Sequence, residues 1–315
     1  MKQLSMHVTD LCNEKCGFCV VGSPLAKTDA VKYEDLMKFL VTNAGDDWES
    51  LNLHGGEPTI LPQLMDLLET AQMFGYPEVQ IQTNGRRLRD MAFVAKLAER
   101  GVRLFVISLH GADAHTQDCQ TQTPGGFNET IEGIRNAVAA GIAVRVNMVV
   151  TRMNMGQIGN ICRLCIELGV NHINISNLHP VGSGYFALDM QAPTVQETRT
   201  HLLPVLDELA GPGAPGGHKI TLEGFPLCVV TPYERLAIED GSRFIRMMYH
   251  GEVYDNYDQF MDDQTREHGA PCSGCPLRAD CGGVYLEYAE RRGWAEFAAA
   301  RRDFEASAAV SDSIT

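Results

Sequence analysis

The sequence predicts an α/β fold: a partial (β/α)6 TIM-like barrel followed by a smaller cysteine-containing region. Short apolar or β-branched runs alternate with helical patterns from residue 3 to about residue 176, as in βα units that build a parallel sheet. A glycine- and proline-rich stretch then covers 211–217, where neither a helix nor a central strand is expected. The pattern beyond it is less regular and contains four cysteines.

A predicted strand opens each of six βα units, and six such units make a barrel that stays open on one side. In the second unit, Pro62 and Gly75 bound a helical run of leucines, which is the usual placement of proline at the start and glycine at the end of a helix. Two further helical runs end at Gly141 and Gly169. The predicted strands are Leu4–Val8, Ser50–His54, Glu78–Gln82, Arg103–Leu109, Ala143–Val150 and His172–Ser176.

This division of the chain predicts four segments. The barrel core is expected at 1–210 and a linker at 211–219. A second domain, whose cysteines would bind a metal cluster, is expected at 220–300, followed by a C-terminal tail at 301–315.

Composition narrows the class of protein. The chain has 315 residues, 44% of them hydrophobic, and a formal net charge of -14, so it can bury a sizeable core. A nucleic-acid partner is not expected, because the chain lacks the excess of Lys and Arg that displaces counterions from phosphates. No signal peptide is visible and no apolar run approaches the roughly 20 residues of a spanning helix, so we expect a cytoplasmic protein without membrane contact.

The first cysteine group follows the first predicted strand. Cys12, Cys16 and Cys19 have the spacing C-x3-C-x2-C, and grouped cysteines in a reducing compartment indicate a metal site rather than disulfides. Three thiolates can hold three irons of a [4Fe-4S] cube and leave the fourth iron without a protein ligand. Spacing alone leaves open a zinc site whose fourth ligand lies elsewhere, for example at His7.

Other polar residues and glycines follow the next predicted strands, at the barrel face where reacting groups lie. Glycines let the backbone approach a ligand closely, and a carboxylate can receive an ammonium group. The residues are Gly55, Gly56, Glu57 and Pro58 after the second strand, Thr83 and Asn84 after the third, and Ser108 at the end of the fourth.

The chain resembles the radical SAM (S-adenosylmethionine) superfamily over about residues 3–185. The resemblance rests on C-x3-C-x-aromatic-C, completed by Phe18, and on Gly55 to Pro58, which are similar to the GGE motif. It implies that SAM binds the open iron and is cleaved reductively to a 5′-deoxyadenosyl radical, which takes a hydrogen atom from a substrate. The implied cofactors are a [4Fe-4S] cluster and SAM, and the implied electron donor is of the flavodoxin or ferredoxin type.

The resemblance also implies roles for single residues. Phe18 would lie by the adenine of SAM, and Gly55 to Glu57, with Pro58, Thr83 and Asn84 beside them, would hold the methionine end. Ser108 and Arg145 would contact the ribose or the carboxylate. Arg145 and Asn147 lie in Val144-Arg145-Val146-Asn147, which resembles a strand segment of the GTP cyclase of molybdenum-cofactor synthesis. An outward-facing arginine is the alternative.

The second cysteine group has the spacing C-x2-C-x5-C at Cys272, Cys275 and Cys281. Zinc is the alternative, but the second C-x2-C pair of a zinc ribbon is missing. The group resembles the C-terminal SPASM or Twitch extensions of radical SAM enzymes, which carry auxiliary [4Fe-4S] clusters. Tyr285 stands where the SPASM pattern has a further cysteine, so one auxiliary cluster is expected, with Cys228 as its fourth ligand.

The sequence leaves the substrate open. Cys119, in a polar segment after the fourth strand, is a candidate hydrogen-atom donor, and an incidental loop cysteine is the alternative. His110, His115 and His179 are candidates for substrate contact. We expect an oxidoreductase or maturase that modifies a ribosomal peptide in natural-product biosynthesis, by oxidation, crosslinking or epimerisation. The alternatives are a small metabolite (an aminoglycoside, nucleoside or sugar) and, outside enzymes, a two-cluster iron-sulfur electron carrier.

Overall fold

A nine-stranded sheet forms the centre of the computed structural model, which describes residues 2–214, 216–238 and 244–300. Eight of the strands are parallel, and β9 pairs antiparallel with β8. The strands are β1 (Lys2–His7), β2 (Ser50–His54), β3 (Val79–Thr83), β4 (Val102–Ser108), β5 (Ala143–Val149), β6 (His172–Ser176), β7 (Lys219–Glu223), β8 (Phe244–Tyr249) and β9 (Glu252–Tyr254).

The helices fill the connections between the strands and cover the outside of the sheet. The predicted helices that end near Gly75, Gly141 and Gly169 are confirmed as α2, α5 and α6. The helices are α1 (Tyr33–Thr42), α2 (Leu64–Met73), α3 (Met91–Glu99), α4 (Ala114–Thr121), α5 (Gly126–Ala139), α6 (Ile158–Glu167), α7 (Ser183–Gln191), α8 (Val195–Ala210), α9 (Leu227–Val230), α10 (Tyr257–Thr265) and α11 (Leu286–Arg292).

The strand order β7-β6-β5-β4-β3-β2-β1-β8-β9 confirms the partial barrel and all six predicted strands. The sheet is not closed, since in the described residues β7 and β9 are its two edges. It also extends across the predicted linker: β7 pairs with β6, and β8 pairs with β1. Segments 211–219 and 220–300 thus contribute strands to the same sheet as the core, and the predicted tail at 301–315 lies outside the described residues.

The two faces of the strands differ in chemistry. On β1, Leu4 and Met6 are fully buried among the hydrophobic core residues, whereas Gln3 and Ser5 line the inside of the barrel. Side chains of a strand alternate between the two faces of a sheet, and amides and other polar groups occupy the inner face of several strands. These inner residues are Asn52, Gln80, Gln82, Asn147, His172, Asn174 and Thr221.

The region after β9 contains a small two-stranded antiparallel sheet, β10 (Arg266–Glu267) and β11 (Val284–Tyr285). The second cysteine group lies in the connection between these two strands. None of the helices in the described ranges combines the length and apolar character that a membrane crossing requires.

Candidate active site

The loop that carries the first cysteine group is paired with the glycine motif. After β1, the backbone of Thr9 accepts a hydrogen bond from the Gly56 N–H at 2.6 Å, and Leu11 accepts one from the Glu57 N–H at 2.8 Å. Asn84, after β3, donates from its side chain to the Asn13 side chain at 2.6 Å. Three segments predicted from separate strand ends therefore form one site.

Cys12, Cys16 and Cys19 are partly buried in this loop and lie close enough to influence one another's ionisation. Burial raises the pKa of the Cys12 thiol to about 12 and raises that of Cys16 as well. Glu14 is buried in the same loop, and burial raises its pKa to about 7. Because these pKa values are raised, the thiols are protonated at neutral pH unless a bound cation stabilises the thiolates, as a metal or cluster does when it binds.

The thiols of the described cysteines do not form a compact set of ligands for one ion. Four thiolates around a zinc ion at Zn–S distances of 2.3 Å would have their sulfurs about 3.8 Å apart. Among the described residues, a set of three ligand atoms mutually within 4.8 Å is formed by His7, Asp10 and His250, and not by the cysteines of either group. A cube of four irons and four sulfides holds its thiolates farther apart than a single zinc ion does, so the first group is compatible with such a cube.

Glu57 is fully buried and its carboxylate is occupied by the protein itself. Oε1 accepts hydrogen bonds from the Thr59 N–H at 2.9 Å, the Thr59 hydroxyl at 2.5 Å and the Thr83 hydroxyl at 2.7 Å. Oε2 accepts one from the Asn84 N–H at 2.7 Å. Together with Pro58, the buried first residue of a 3-10 turn (Pro58–Ile60), Glu57 fixes the end of β2 to the end of β3.

A cavity of about 470 Å³, here called the central cavity, opens beside the cysteine loop. Phe18 lines it and packs edge-on against His110, at 4.7 Å between ring centroids. Burial lowers the pKa of His110 to about 4, so the ring is neutral at pH 7. Asn147, predicted to contact SAM, and His179, predicted to contact substrate, also line the central cavity.

Three other predicted residues lie outside the lining of the central cavity. Arg145 is turned into the lower part of the barrel, where it donates to Asn147 at 3.0 Å and pairs with Glu223 at 3.5 Å. Ser108 ends β4 opposite Asn147 in the strand register. Cys119 is exposed on α4, where its sulfur lies 4.0 Å from Nδ1 of His115.

The second cysteine group comes together with Cys228. All four cysteines line one small cavity, which also includes His268 and Arg278. Burial, and then the neighbouring cysteine thiols, raise the pKa of Cys228 to about 12. Cys162 and Cys165, which the helical pattern of α6 predicts to be core residues, are confirmed as fully buried.

Sequence reasoning missed a hydrogen-bonded group next to the cysteine loop. Oδ1 of Asp10 lies 2.8 Å from Nε2 of His7 and 2.7 Å from Nε2 of His250. His250 follows β8 and has a positive φ of 49°, which is uncommon outside glycine. Because 240 residues separate His250 from Asp10, only the pairing of β8 with β1 reveals this contact.

Comparison with known families identifies the family of this chain. Residues 6–165 match the model of the radical SAM superfamily, and this span contains the cysteine loop, Phe18 and the glycine motif. The chain belongs to the radical SAM superfamily. It is therefore an enzyme of the family whose members use SAM and a [4Fe-4S] cluster, and the arrangement of Cys12, Cys16 and Cys19 fits that cluster.

Curated relatives match part of this radical SAM chain. A probable GTP 3′,8-cyclase of Saccharolobus islandicus is 33% identical over 188 residues, which cover 59% of this chain and 60% of the relative. One of Sulfurisphaera tokodaii is 32% identical over 187 residues, 58% of each chain. This radical SAM chain thus spans about 60% of the length of these relatives.

Solved structures share the fold over more of the chain. SuiB of Streptococcus suis bound to S-adenosylmethionine has a TM-score of 0.66 at 20% identity and covers 92% of this chain and 74% of its own. The enzyme anSMEcpe with bound AdoMet and Cp18Cys peptide has a TM-score of 0.66 at 14% identity, with coverages of 100% and 99%. These similarities extend the shared fold beyond the radical SAM core.

Gly56→Ala is expected to slow SAM cleavage by about 100-fold, because small displacements of a site can cost that much in rate. A Cβ at Gly56 would lie 2.1 Å from the Leu11 carbonyl oxygen and 2.8 Å from the Asp10 carbonyl carbon, so the cysteine loop would have to move. The measurement is 5′-deoxyadenosine formed under anaerobic, reducing conditions. Gly156→Ala, where a Cβ meets no atom within 4 Å, is the control, and equal rates for both variants would contradict the expectation.

Proposed function

We propose that this enzyme reductively cleaves SAM and abstracts a hydrogen atom from a substrate carbon in the central cavity, with a second [4Fe-4S] cluster assisting. The observation that carries the proposal is the composition of the cavity walls. Phe18 and Val20 of the first cysteine loop line it, and so do Asp280 and Gly282, which flank Cys281. A substrate in the cavity would therefore lie between the two cysteine groups.

When bound, the first cluster supplies an electron that breaks a carbon–sulfur bond of SAM, and the resulting 5′-deoxyadenosyl group takes a hydrogen atom from the substrate. The side chains and backbone of this chain would position SAM. The close backbone approach at Gly55 and Gly56 holds the glycine motif against the cysteine loop, where the methionine end would bind. Phe18 offers an aromatic edge to the adenine. Asn147, held by Arg145, and Ser108 beside it would face the ribose or carboxylate.

The second cluster is proposed on Cys228, Cys272, Cys275 and Cys281, in a Twitch-like domain. Their shared cavity supports a cluster with four protein ligands. Such a cluster has no open iron for substrate, so we assign it electron transfer rather than substrate anchoring. The external electron donor would be of the flavodoxin or ferredoxin type, and the location cytoplasmic.

The proposed substrate is a ribosomal peptide in natural-product biosynthesis. Two solved structures that resemble this chain over most of its length were determined with peptides, precursor peptide SuiA and Cp18Cys peptide. The second candidate is a small polar metabolite. It is favoured by the amide-lined barrel interior below the cavity, which would suit hydroxyl groups, and by the nucleotide substrate in the names of the curated relatives.

The test is anaerobic incubation with SAM and a strong reductant, together with iron and sulfide analysis. We expect 5′-deoxyadenosine and about eight irons per chain, four for each cluster. Cys275→Ala is expected to retain SAM cleavage, lose about four irons and form no product from the substrate. Absence of 5′-deoxyadenosine with intact clusters would overturn the proposal, and four irons in the unchanged protein would overturn the second cluster.

A further inference from the structure

The barrel interior contains a second cavity whose charged lining is mostly basic. This cavity, here called the lower cavity, has a volume of about 760 Å³ and extends toward the starts of the strands. Among the described residues, its charged lining consists of Arg145, Lys219, Arg235 and Glu223. The whole chain has 40 acidic and 26 basic residues, so the charge of this lining is opposite in sign to that of the protein.

Two of these cations lie in one row across the inner face of the sheet. Arg145 of β5 pairs in register with His172 of β6, and His172 pairs with Lys219 of β7. Neighbouring strands lie about 4.8 Å apart and paired residues point to the same face, so the two cations flank the imidazole. Burial, and then the charges of Arg145 and Lys219, lower the pKa of His172 to about 4, so its ring is neutral at pH 7. The row therefore has two positive charges and no negative charge.

The lining provides a carboxylate for only one of its three cations. Arg145 pairs with Glu223 at 3.5 Å. Arg235 donates to the backbone carbonyl of Ala210 at 2.8 Å, which does not balance its charge. No carboxylate of the described residues lies within ion-pair distance of Lys219 or Arg235, and both side chains are exposed, so a ligand can reach them. A bound anion would supply the missing negative charge.

The lower cavity adjoins the central cavity, in which the reaction is proposed. The residues that line both cavities are Asn52, Gln82, Asn147, Leu222 and Glu223. Along β7, Lys219 and Glu223 are the first and last residues of the strand, which places them roughly 13 Å apart at the usual rise per residue. A small molecule with its reacting carbon in the central cavity can therefore place a charged group at its other end beside Lys219 and Arg235.

We propose that the lower cavity binds an anionic group of the substrate, a phosphate or a carboxylate, through Lys219 and Arg235. Ammonium and guanidinium groups donate hydrogen bonds and accept none, and their bonds to these anions are strengthened by charge. The inference rests on the proposed function, since it assigns the reacting carbon to the central cavity. It favours the second candidate substrate, a small polar metabolite, and adds a negative charge to the description of that metabolite.

The test measures the binding of inorganic phosphate and of acetate to the cluster-loaded protein by calorimetry, at constant ionic strength. SAM is present at saturation and no reductant is added, so that SAM occupies the open iron and is not cleaved. We expect at least one of the two anions to bind with a Kd of about 1 mM or lower, as two charge-assisted hydrogen bonds would give. The anion that binds more tightly identifies the charged group of the substrate.

Lys219→Gln and Arg235→Gln are each expected to weaken this binding about tenfold, because each removes one charge-assisted hydrogen bond. Lys96→Gln is the control, since Lys96 is exposed on α3, does not line the lower cavity and changes the net charge by the same amount. A loss of affinity in either cavity variant, without a loss in the control, supports the inference. No binding of either anion, unchanged affinity in both cavity variants, or an equal loss in Lys96→Gln would refute it. Because this assay cleaves no SAM, its result is independent of the test of the proposed function.

Discussion

Cys16→Ala is expected to reduce SAM cleavage to background and to lower the iron content from about eight to about four per chain. Cys16 is the middle cysteine of the first group, and the loop has no thiol besides Cys12, Cys16 and Cys19 that could replace it. The fold should survive, because the partly buried Cys16 packs against the hydrophobic core and alanine keeps most of that contact. Anaerobic 5′-deoxyadenosine assays and iron analysis provide the measurement.

Cys162→Ala is the matched control, since it makes the same substitution at a fully buried cysteine of α6. It is expected to keep the iron content and the cleavage rate and to lose only packing energy, about 1 kcal/mol. If Cys16→Ala retained cleavage, or if Cys162→Ala lost iron, the assignment of the first cluster to Cys12, Cys16 and Cys19 would fail.

Glu57→Gln is expected to lower the free energy of unfolding by about 3 kcal/mol, although the two side chains have nearly the same shape. The carboxylate accepts four hydrogen bonds, on both of its oxygens, from Thr59, Thr83 and Asn84. An amide has one acceptor oxygen, so its NH2 group must face a donor on one side. Burial leaves no water to relieve the conflict.

Urea unfolding of the metal-free protein measures this effect without contributions from the clusters. Glu99→Gln, at an exposed position of α3, should change stability by no more than about 0.5 kcal/mol. A loss below about 1 kcal/mol in Glu57→Gln would show that the hydrogen bonds around Glu57 do little to hold the ends of β2 and β3 together.

The first six strands could be predicted from the sequence because each is a compact β-branched or apolar run followed by its own helix. The roles of β7 and β8 in the sheet could not. Lys219–Glu223 directly follows the glycine- and proline-rich stretch rather than a regular helix-to-strand connection. Phe244–Tyr249 pairs with β1, which lies more than 200 residues away in the chain. Local patterns carry no information about such a partner.

The candidate site shows the same division. The cysteines and the glycine motif follow strand ends, so their positions follow from the order of strands and helices. The Glu57 carboxylate accepts hydrogen bonds from the hydroxyls of Thr59 and Thr83 and from the Asn84 N–H that follows the next strand, and the sequence does not show these bonds. The bond between His250 and Asp10 requires the pairing of β8 with β1. Distances between side chains of separate elements arise only on folding.

Alternate residues along the strands have different roles: the outward side chains pack against the helices, and the inward side chains face the cavity. Leu51 and Leu53 of β2 face the helices, while Asn52 between them faces the cavity, and β5 and β6 repeat the pattern. Buried parallel strands are usually continuous apolar runs. The polar inner residues of this barrel therefore line a solvated interior instead of forming a packed inner core. Substitutions at the inward positions can therefore change which molecules fit without disturbing the outer layers, and relatives that keep the same hydrophobic framework are free to diverge in the compounds they accept.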